Sequence, residues 1–284
     1  VIGVDTTSDG ELRAPLVVAA DGMSSGLRKA AGIEVDRKEY PHRLLAFDVE
    51  GAEVAAEVTA YRTVRGLCLV YPLPGGRCRL YVQSTPDEFR ANGTADLSGW
   101  LDGVLVDAPA LRPLEPAIRA SLQRKQLLAV YRLRADRLAA PGLALVGEAA
   151  HAVHPMAAQG VNSSLGDAEA LARSLSGASE LTPAGVDRAL AGFETARRDR
   201  LDHLATVSHN ASRMITSVSG LPKLLGARMM RRTAANPRLL GLTAGNLSGT
   251  NVRPLSLLDR LYQLGVLVDR HSHTPPVPSL SEAS

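Results

Sequence analysis

The chain opens on short apolar stretches separated by turn signals. Residues 1–5, a Ser8-Asp9-Gly10 turn and residues 11–20 predict a hairpin, because Asp-Gly between apolar runs favours a tight β-turn. Residues 15–20 are continuously apolar, the pattern of a strand covered on both faces. That run ends at Asp21-Gly22, and a short helix is expected up to Gly32. From about residue 40 to residue 133 the spacing shortens. Segments 44–49, 54–61, 67–73 and 77–83 alternate or run apolar, and Pro74-Gly75-Gly76 supplies a tight turn between the last two. This predicts antiparallel sheet, then a helix over 97–106 with Ser98 as its cap, and a further strand over 126–134. An α/β pattern returns with a short buried strand at 143–146, a glycine-containing loop and a helix over 160–175. Thr182-Pro183 is a good N-cap and first-turn pair for a long helix. Its apolar positions Val186, Leu190, Phe193, Leu201, Leu204 and Val207 keep helical spacing. Gly220-Leu221-Pro222 is expected to stop it, with shorter helices over 222–267. The tail 271–284, carrying Pro275-Pro276 and Pro278, is expected to be disordered.

The predicted class is α/β: an α/β unit interrupted by an antiparallel sheet and followed by helices. The expected divisions are 1–35, 36–138, 139–178, 179–270 and the tail 271–284. Apolar residues make up 45% of the chain and aromatic ones only 4%, so the cores are aliphatic. No apolar run approaches the roughly 18 residues a spanning helix needs, so a soluble protein is expected. Two cysteines, Cys68 and Cys78, without a CxxC, point to buried thiols in a reduced, cytoplasmic protein and exclude a disulfide framework. The chain starts without Met or the charged leader of a signal peptide, and Val1-Ile2-Gly3-Val4 reads as mid-strand. Further residues are therefore expected upstream. From Arg213 to Arg270 nine basic residues face only Asp259 and Asp269. Weak contact with an acidic membrane surface or partner suits that bias, and so does a solvated helical face, the commoner outcome. Nucleic acid is not expected, because aromatic residues hardly interleave with these charges.

Two features carry chemistry, and both have one design: a buried strand, an acid at its C-terminal end, a loop, then a helix. Ligands of open α/β sheets gather beyond the carboxyl ends of strands. A carboxylate there can accept hydrogen bonds from sugar-like hydroxyls, and the next helix offers free N–H groups and a positive dipole end. The first is Asp21-Gly22-Met23-Ser24-Ser25-Gly26-Leu27-Arg28. The second runs from Gly147-Glu148-Ala149-Ala150-His151 through Val153-His154-Pro155 to Gln159-Gly160-Val161-Asn162, and continues to Asp167-Ala168.

The first resembles the DGxxSxxR motif of the flavoprotein hydroxylases related to p-hydroxybenzoate hydroxylase, at Asp21, Gly22, Ser25 and Arg28. The second is similar to that family's Gly-Asp motif, and its His-Pro resembles the ubiquinone-biosynthesis branch. The resemblance covers residues 1 to about 200 and implies a partial FAD/NAD(P)-binding domain with an inserted antiparallel-sheet substrate domain. It implies FAD as cofactor, NAD(P)H as co-substrate, and one atom of molecular oxygen delivered from a flavin C4a-hydroperoxide to an aromatic or quinone- or prenyl-type small molecule, the other atom leaving as water. That substrate is expected between the antiparallel sheet and the flavin loop. Carried over by position, Glu148 meets the ribityl chain, while Pro155, Gln159, Gly160, Val161 and Asn162 lie along the flavin ring. Asp21 and Arg28 serve both FAD and the pyridine nucleotide. The cofactor carries the chemistry, so no catalytic acid or base is expected.

Three departures stand out. Glu148 replaces the family's usual Asp, and Ala158 replaces a Gly, which is unfavourable if that residue needs a positive φ. The GxGxxG that cradles the FAD pyrophosphate is absent, so this polypeptide alone is expected to bind FAD poorly. A truncated or non-catalytic flavoprotein module is the reading from another class. A flavin reductase or halogenase is the rival enzyme, the halogenase disfavoured because Trp100 is the sole Trp. His151 and His154 have HxxH spacing without further ligands, so hydrogen-bonded loop histidines are expected and no metal site. His203 and His209 are expected to be solvent-facing or packed, and Arg197-Arg198-Asp199-Arg200 to be a solvated helix face. No general base stands in hydrolase spacing to Ser163 or Ser164.

Overall fold

The computed structural model describes residues 3–85, 87–88, 97–177, 181–249 and 254–274. Its fold is of the α/β class. The opening hairpin forms, with β1 (Gly3–Thr6) antiparallel to β2 (Gly10–Arg13). Its second arm stops at Arg13, however, and the apolar run beyond it becomes a separate strand, β3 (Val17–Ala19). Gly10, at φ +70°, makes the turn its sequence requires. β3 pairs in parallel with β10 (Leu143–Leu145), whose other edge carries β9 (Ala139–Ala140) antiparallel. Val18 on β3 is exposed, so that strand is covered on one face where the apolar run predicts two. The short helix α1 (Gly26–Ala30) follows the Asp21-Gly22 turn, capped by Ser25 accepting from the Arg28 N–H.

Between β3 and β10 the chain builds five strands of the expected antiparallel sheet, and β11, which follows β10, joins its edge to give the order β11-β8-β4-β7-β6-β5. The members are β4 (Val35–Glu50), β5 (Thr59–Thr63), β6 (Gly66–Leu73), β7 (Arg77–Ser84), β8 (Gln126–Ala135) and β11 (His151–Ala152). β4 starts nine residues before the predicted strand at Leu44. Its Asp36-Arg37-Lys38-Glu39 opening has no apolar alternation, and the ladder with β8 holds it instead. The register with β8 slips between Glu39 and Arg43, so Tyr40, Pro41 and His42 together oppose Val130 alone. Pro41 cannot donate to a ladder, and a bulge is where a proline is tolerated and where side chains are re-aimed.

One face of this sheet packs against helices α2 (Leu97–Asp107) and α3 (Glu115–Ser121), burying Phe47, Leu80, Leu101, Leu111 and Ile118 completely or nearly so. Ser98 lies inside the first turn of α2, not at its cap, and accepts from Arg119 instead. The helical run around Pro109, Pro113 and Pro116 is not foreseen by the sequence, because prolines usually mark breaks. Cys68 and Cys78 are buried, unpaired thiols on β6 and β7, and they do not oppose each other across the ladder.

After β10 come α4 (Gly160–Ser176) and α5 (Pro183–Thr216), capped by Thr182 as its sequence predicts. α5 spans about 50 Å at 1.5 Å per residue. Its first half buries Val186, Leu190 and Phe193 in the core around β3 and β10, and its end brings Ile215 to the second face of the antiparallel sheet. Full burial of Phe193 alone contributes about 2–3 kcal/mol. Gly220-Leu221-Pro222 opens α6 (Gly220–Ala234), because α5 already ends at Thr216. α7 (Pro237–Ser248) and α8 (Leu257–Leu264) complete the fold. Residues 271–274 of the expected disordered tail form a turn whose Ser272 carbonyl accepts from the Arg238 N–H, and 275–284 lie outside the described residues. No described helix is long and apolar enough to cross a membrane.

Candidate flavin site

The second motif joins the two sheets. Within ten residues the chain passes from β10 of the parallel pair, through a turn at Gly147–Ala149, to β11 at the edge of the antiparallel sheet. Gly147 sits at φ +59°, a conformation that L side chains rarely adopt. Its N–H donates to Asp167 Oδ2 at 2.9 Å. The same oxygen lies 2.6 Å from His151 Nε2, and Asp167 Oδ1 accepts from Arg197 Nε at 2.8 Å. Arg197 Nη2 also donates to the Ser163 carbonyl. All three side chains are buried. Burial raises the Asp167 pKa, but the His151 and Gly147 hydrogen bonds and the Arg197 guanidinium outweigh it and hold the carboxyl below its usual value. A buried carboxylate with three donors around it fixes the start of the motif to α4 and α5.

Arg197 therefore corrects the expectation of a solvated Arg-rich face. It lies four residues after Phe193 and four before Leu201, on the buried stripe of α5, and that spacing is the signal that marks it. Ser208 was hidden in the same way. The stripe turns from Leu204 to Ser208 rather than to Val207, and the Ser208 hydroxyl accepts from the His154 N–H at 3.0 Å.

The first motif docks onto the second through Arg28. Its Nη1 donates to the Ala149 carbonyl at 2.7 Å and its Nη2 to the Met23 carbonyl at 3.1 Å, and the side chain is buried. Arg28 is thus a clamp between the two loops, not an open ligand-facing group. Asp21 remains exposed and accepts from the Leu27 N–H. Against the burial that raises its pKa, hydrogen bonds from Ser25 and the Leu27 N–H keep Asp21 below the ordinary carboxylate value. Glu148 is exposed at the turn and makes no hydrogen bond or ion pair among the described residues.

Beyond β11 the loop runs over the buried His154. Met156 N–H donates to His154 Nδ1, so the His154 proton is on Nε2, which faces His42 Nε2 at 2.9 Å. His42 must accept there, which leaves its own proton on Nδ1. Burial drives both pKa values down, to about 3 for His154 and about 4 for His42. Tyr40 packs edge-on to His154, with centroids 5.0 Å apart, and its hydroxyl meets His209 Nδ1 at 3.2 Å. Tyr40 and His42 come from the β4 bulge, which no hydrophobic pattern reveals.

The loop ends in a turn at Pro155–Ala157, and Ala158 then adopts φ 51°, ψ 24°, left-handed as the family's glycine there implies. Gln159 is buried and its amide donates to the Leu247 carbonyl on α7, so this side chain anchors the loop. Pro155, Gly160, Val161 and Asn162 are exposed. Gly160 starts the 17-residue helix α4, and a Cβ placed there meets nothing within 4 Å. The first-turn N–H groups thus stand at an open, positive helix end beside Pro155, the arrangement that suits the electron-rich edge of a flavin. An unpartnered acid at the carboxyl end of β10 and an open helix start fit the ribityl and ring portions of FAD. On the other flank, Asn162, Arg173, Arg197, Arg200, Leu165 and Leu204 are among the residues that line a cavity of about 560 Å³ with mixed polar and apolar walls. On the sheet side, Met156, Tyr71, Tyr81 and Leu128 all pack against the buried cluster of Leu44, Leu67, Leu69 and Val130.

Comparison with known proteins identifies the family and the fold. A family model described as an FAD binding domain matches residues 2–208. The ubiquinone hydroxylase UbiL of Rhodospirillum rubrum is 32% identical over 68% of this chain and 45% of its own length. The human mitochondrial ubiquinone biosynthesis monooxygenase COQ6 is 28% identical over 88% of this chain and 57% of its own. The chain thus spans about half the length of these relatives. Among solved structures, PqsL of Pseudomonas aeruginosa, a probable FAD-dependent monooxygenase, superposes with a TM-score of 0.65 at 28% identity, covering 75% of this chain and 60% of that one. Klebsiella pneumoniae HpxO, solved with FAD and uric acid, shares the fold with a TM-score of 0.69 at 21% identity, over 88% of this chain and 63% of that one. The chain belongs to the FAD-binding, aromatic-hydroxylase-type monooxygenase family.

Proposed function

We propose that this chain is the flavin-ring-binding and substrate-binding portion of an NAD(P)H-dependent monooxygenase acting on an aromatic or quinone- or prenyl-type small molecule. The carrying observation is the Arg28–Ala149 clamp. It brings Asp21 and Glu148, two exposed acids at strand ends, to one junction that continues into the open start of α4. FAD, when bound, supplies the oxygen-activating chemistry, and the protein's tasks are to bind, orient and keep water out. Glu148 accepts hydrogen bonds from the ribityl hydroxyls. The N–H groups of Val161 and Asn162 stabilise negative charge at the ring edge through the dipole of α4. Pro155 and the backbone at Gly160 form the flat wall beside the ring. The substrate lies across from that wall, on the sheet face carrying Tyr71 and Tyr81. The buried neutral His42–His154 pair holds the loop from beneath without offering a charge to the site.

Nothing in these 284 residues supplies a GxGxxG loop for the pyrophosphate. Firm FAD retention therefore depends on a unit carrying that loop, as the coverage of the relatives suggests. The test is oxygenation by the complete polypeptide with FAD, NADH or NADPH and isotopically labelled dioxygen. One labelled oxygen atom in the product, with nicotinamide oxidised in step, is expected for phenolic or quinol substrates. Nicotinamide oxidation that yields only hydrogen peroxide across a broad phenol and quinol panel overturns the reading.

A further inference from the structure

α8 is folded with its polarity reversed. Asp259 and Gln263 are 8% and 1% exposed, while Leu257, on the same helix, is 86% exposed. Leu258 and Leu261 join Leu257 at i, i+1, i+4 spacing, so one outward stripe is wholly leucine. The inward polar side is fully partnered. Asp259 closes the capping box with Ser256 and pairs with Arg238, and Gln263 donates to Thr233. The helix therefore cannot simply be rotated to hide its leucines without orphaning buried polar groups. Beyond its end, Val266, Leu267 and Val268 continue the apolar surface, Val268 being 87% exposed.

α6 lies against α8 and repeats the arrangement. Leu221, Leu224 and Leu225 are exposed, and the same helical stripe continues as Arg228 and Arg232. Arg228 donates to the Leu264 and Gly265 carbonyls, and the guanidinium of Arg232 flanks Gly265. Cations thus border the apolar surface at its centre, with Lys223, Arg231 and Arg270 nearby in sequence. The only acids from Arg213 to Arg270 are Asp259 and Asp269, and both are engaged by Arg238. The face therefore combines exposed aliphatic side chains with uncompensated positive charge and has no anionic group of its own to offer a partner. That is the make-up of helices that lie in a lipid interface, apolar groups among the acyl chains and Lys or Arg at anionic headgroups.

We propose that the face formed by α6, α8 and Val266–Val268 is a peripheral contact for an anionic lipid surface. The contact is independent of the flavin site, and its bearing on a lipid-soluble substrate rests on the function proposed above. The test is co-flotation of the full polypeptide with vesicles of equal parts phosphatidylcholine and phosphatidylglycerol, beside phosphatidylcholine alone. Binding is expected to the mixed vesicles, falling with added salt, and not to the neutral ones. Leu257→Gln with Val268→Gln, both fully solvent-facing sites, should lower the partition about tenfold or more. Arg231→Gln and Arg270→Gln should lower it about fivefold each. Circular dichroism of all variants should match the parent. Failure of the parent to float with anionic vesicles overturns the proposal. So does equal flotation of the Leu257→Gln, Val268→Gln variant, or a concentration-dependent dimer in sedimentation velocity that this variant abolishes.

Discussion

Replacing Arg197 by alanine removes the guanidinium from a carboxylate that cannot reach water. Arg197 and Asp167 side chains are 7% and 1% exposed, joined at 2.8 Å. Removing one partner of a buried pair costs about 3–5 kcal/mol, because the survivor is left uncompensated. Asp167 keeps His151 and the Gly147 N–H, so the low end applies, about 3 kcal/mol. For a chain of this length, that lowers the melting temperature by about 6 °C. The pH dependence follows from the direction of the Asp167 shift. Its folded pKa lies below the ordinary value of 3.8, so its stabilisation is fully present above that value and is lost as pH falls through the folded pKa. Loss of Arg197 raises the folded pKa. The deficit of the variant is therefore largest near neutrality and shrinks on acidification. Urea unfolding near neutrality and again near the acid end of the folded range measures both effects. Arg197→Lys restores the charge but not the fork that reaches both Asp167 and the Ser163 carbonyl, and should fall in between. A solvated face predicts a change within about 0.5 kcal/mol for either variant. A melting temperature within about 1 °C of the parent, at any pH, refutes the buried-network reasoning.

Three further outcomes are expected. Ala158→Gly relieves a left-handed alanine and should raise stability by about 0.5–1 kcal/mol in thermal unfolding, with equal or lower stability counting against strain there. His42 and His154 have folded pKa values of about 4 and about 3, below the ordinary 6.5, so their contribution is complete above pH 6.5 and erodes as pH falls below it. Each imidazole then costs about 1.4 kcal/mol per pH unit, and His42→Gln, which keeps an acceptor for His154, should halve that acid slope. An unchanged slope between pH 6.5 and the folded values contradicts the buried pair. Arg28→Met keeps the bulk of the clamp but not its donors. It should loosen the Ala149 junction and weaken added FAD about tenfold or more while the chain stays folded, measured by flavin fluorescence quenching.

The sequence carried what rests on periodicity and on local turn chemistry. The Thr182 cap, the Val186–Leu190–Phe193 stripe, the Gly75-Gly76 turn and the two strand-end acids all depend on neighbours a few residues away. What it concealed depends on partners far apart in the chain. Arg197 reads as one of three clustered arginines until Asp167 stands beside it, thirty residues earlier. Arg28 reads as a ligand group until the Ala149 carbonyl, 121 residues on, accepts its hydrogen bond. His42 meets His154 only because β4 bulges around Pro41. Six of the eight residues expected around the flavin, namely Asp21, Glu148, Pro155, Gly160, Val161 and Asn162, are open to solvent along the junction. Gln159 and Arg28 are buried braces that shape it.

The central claim is that Glu148 and the start of α4 hold a flavin. Its most direct measurement is FAD binding by the complete polypeptide, read as the yellow two-banded absorption of oxidised flavin after desalting, for the parent, Glu148→Asp and Glu148→Ala. Retained colour in the parent and in Glu148→Asp, and a loss of about tenfold or more in affinity in Glu148→Ala with unchanged circular dichroism, is the predicted result. A colourless parent that added FAD cannot reconstitute, or a Glu148→Ala variant that keeps full affinity, contradicts it.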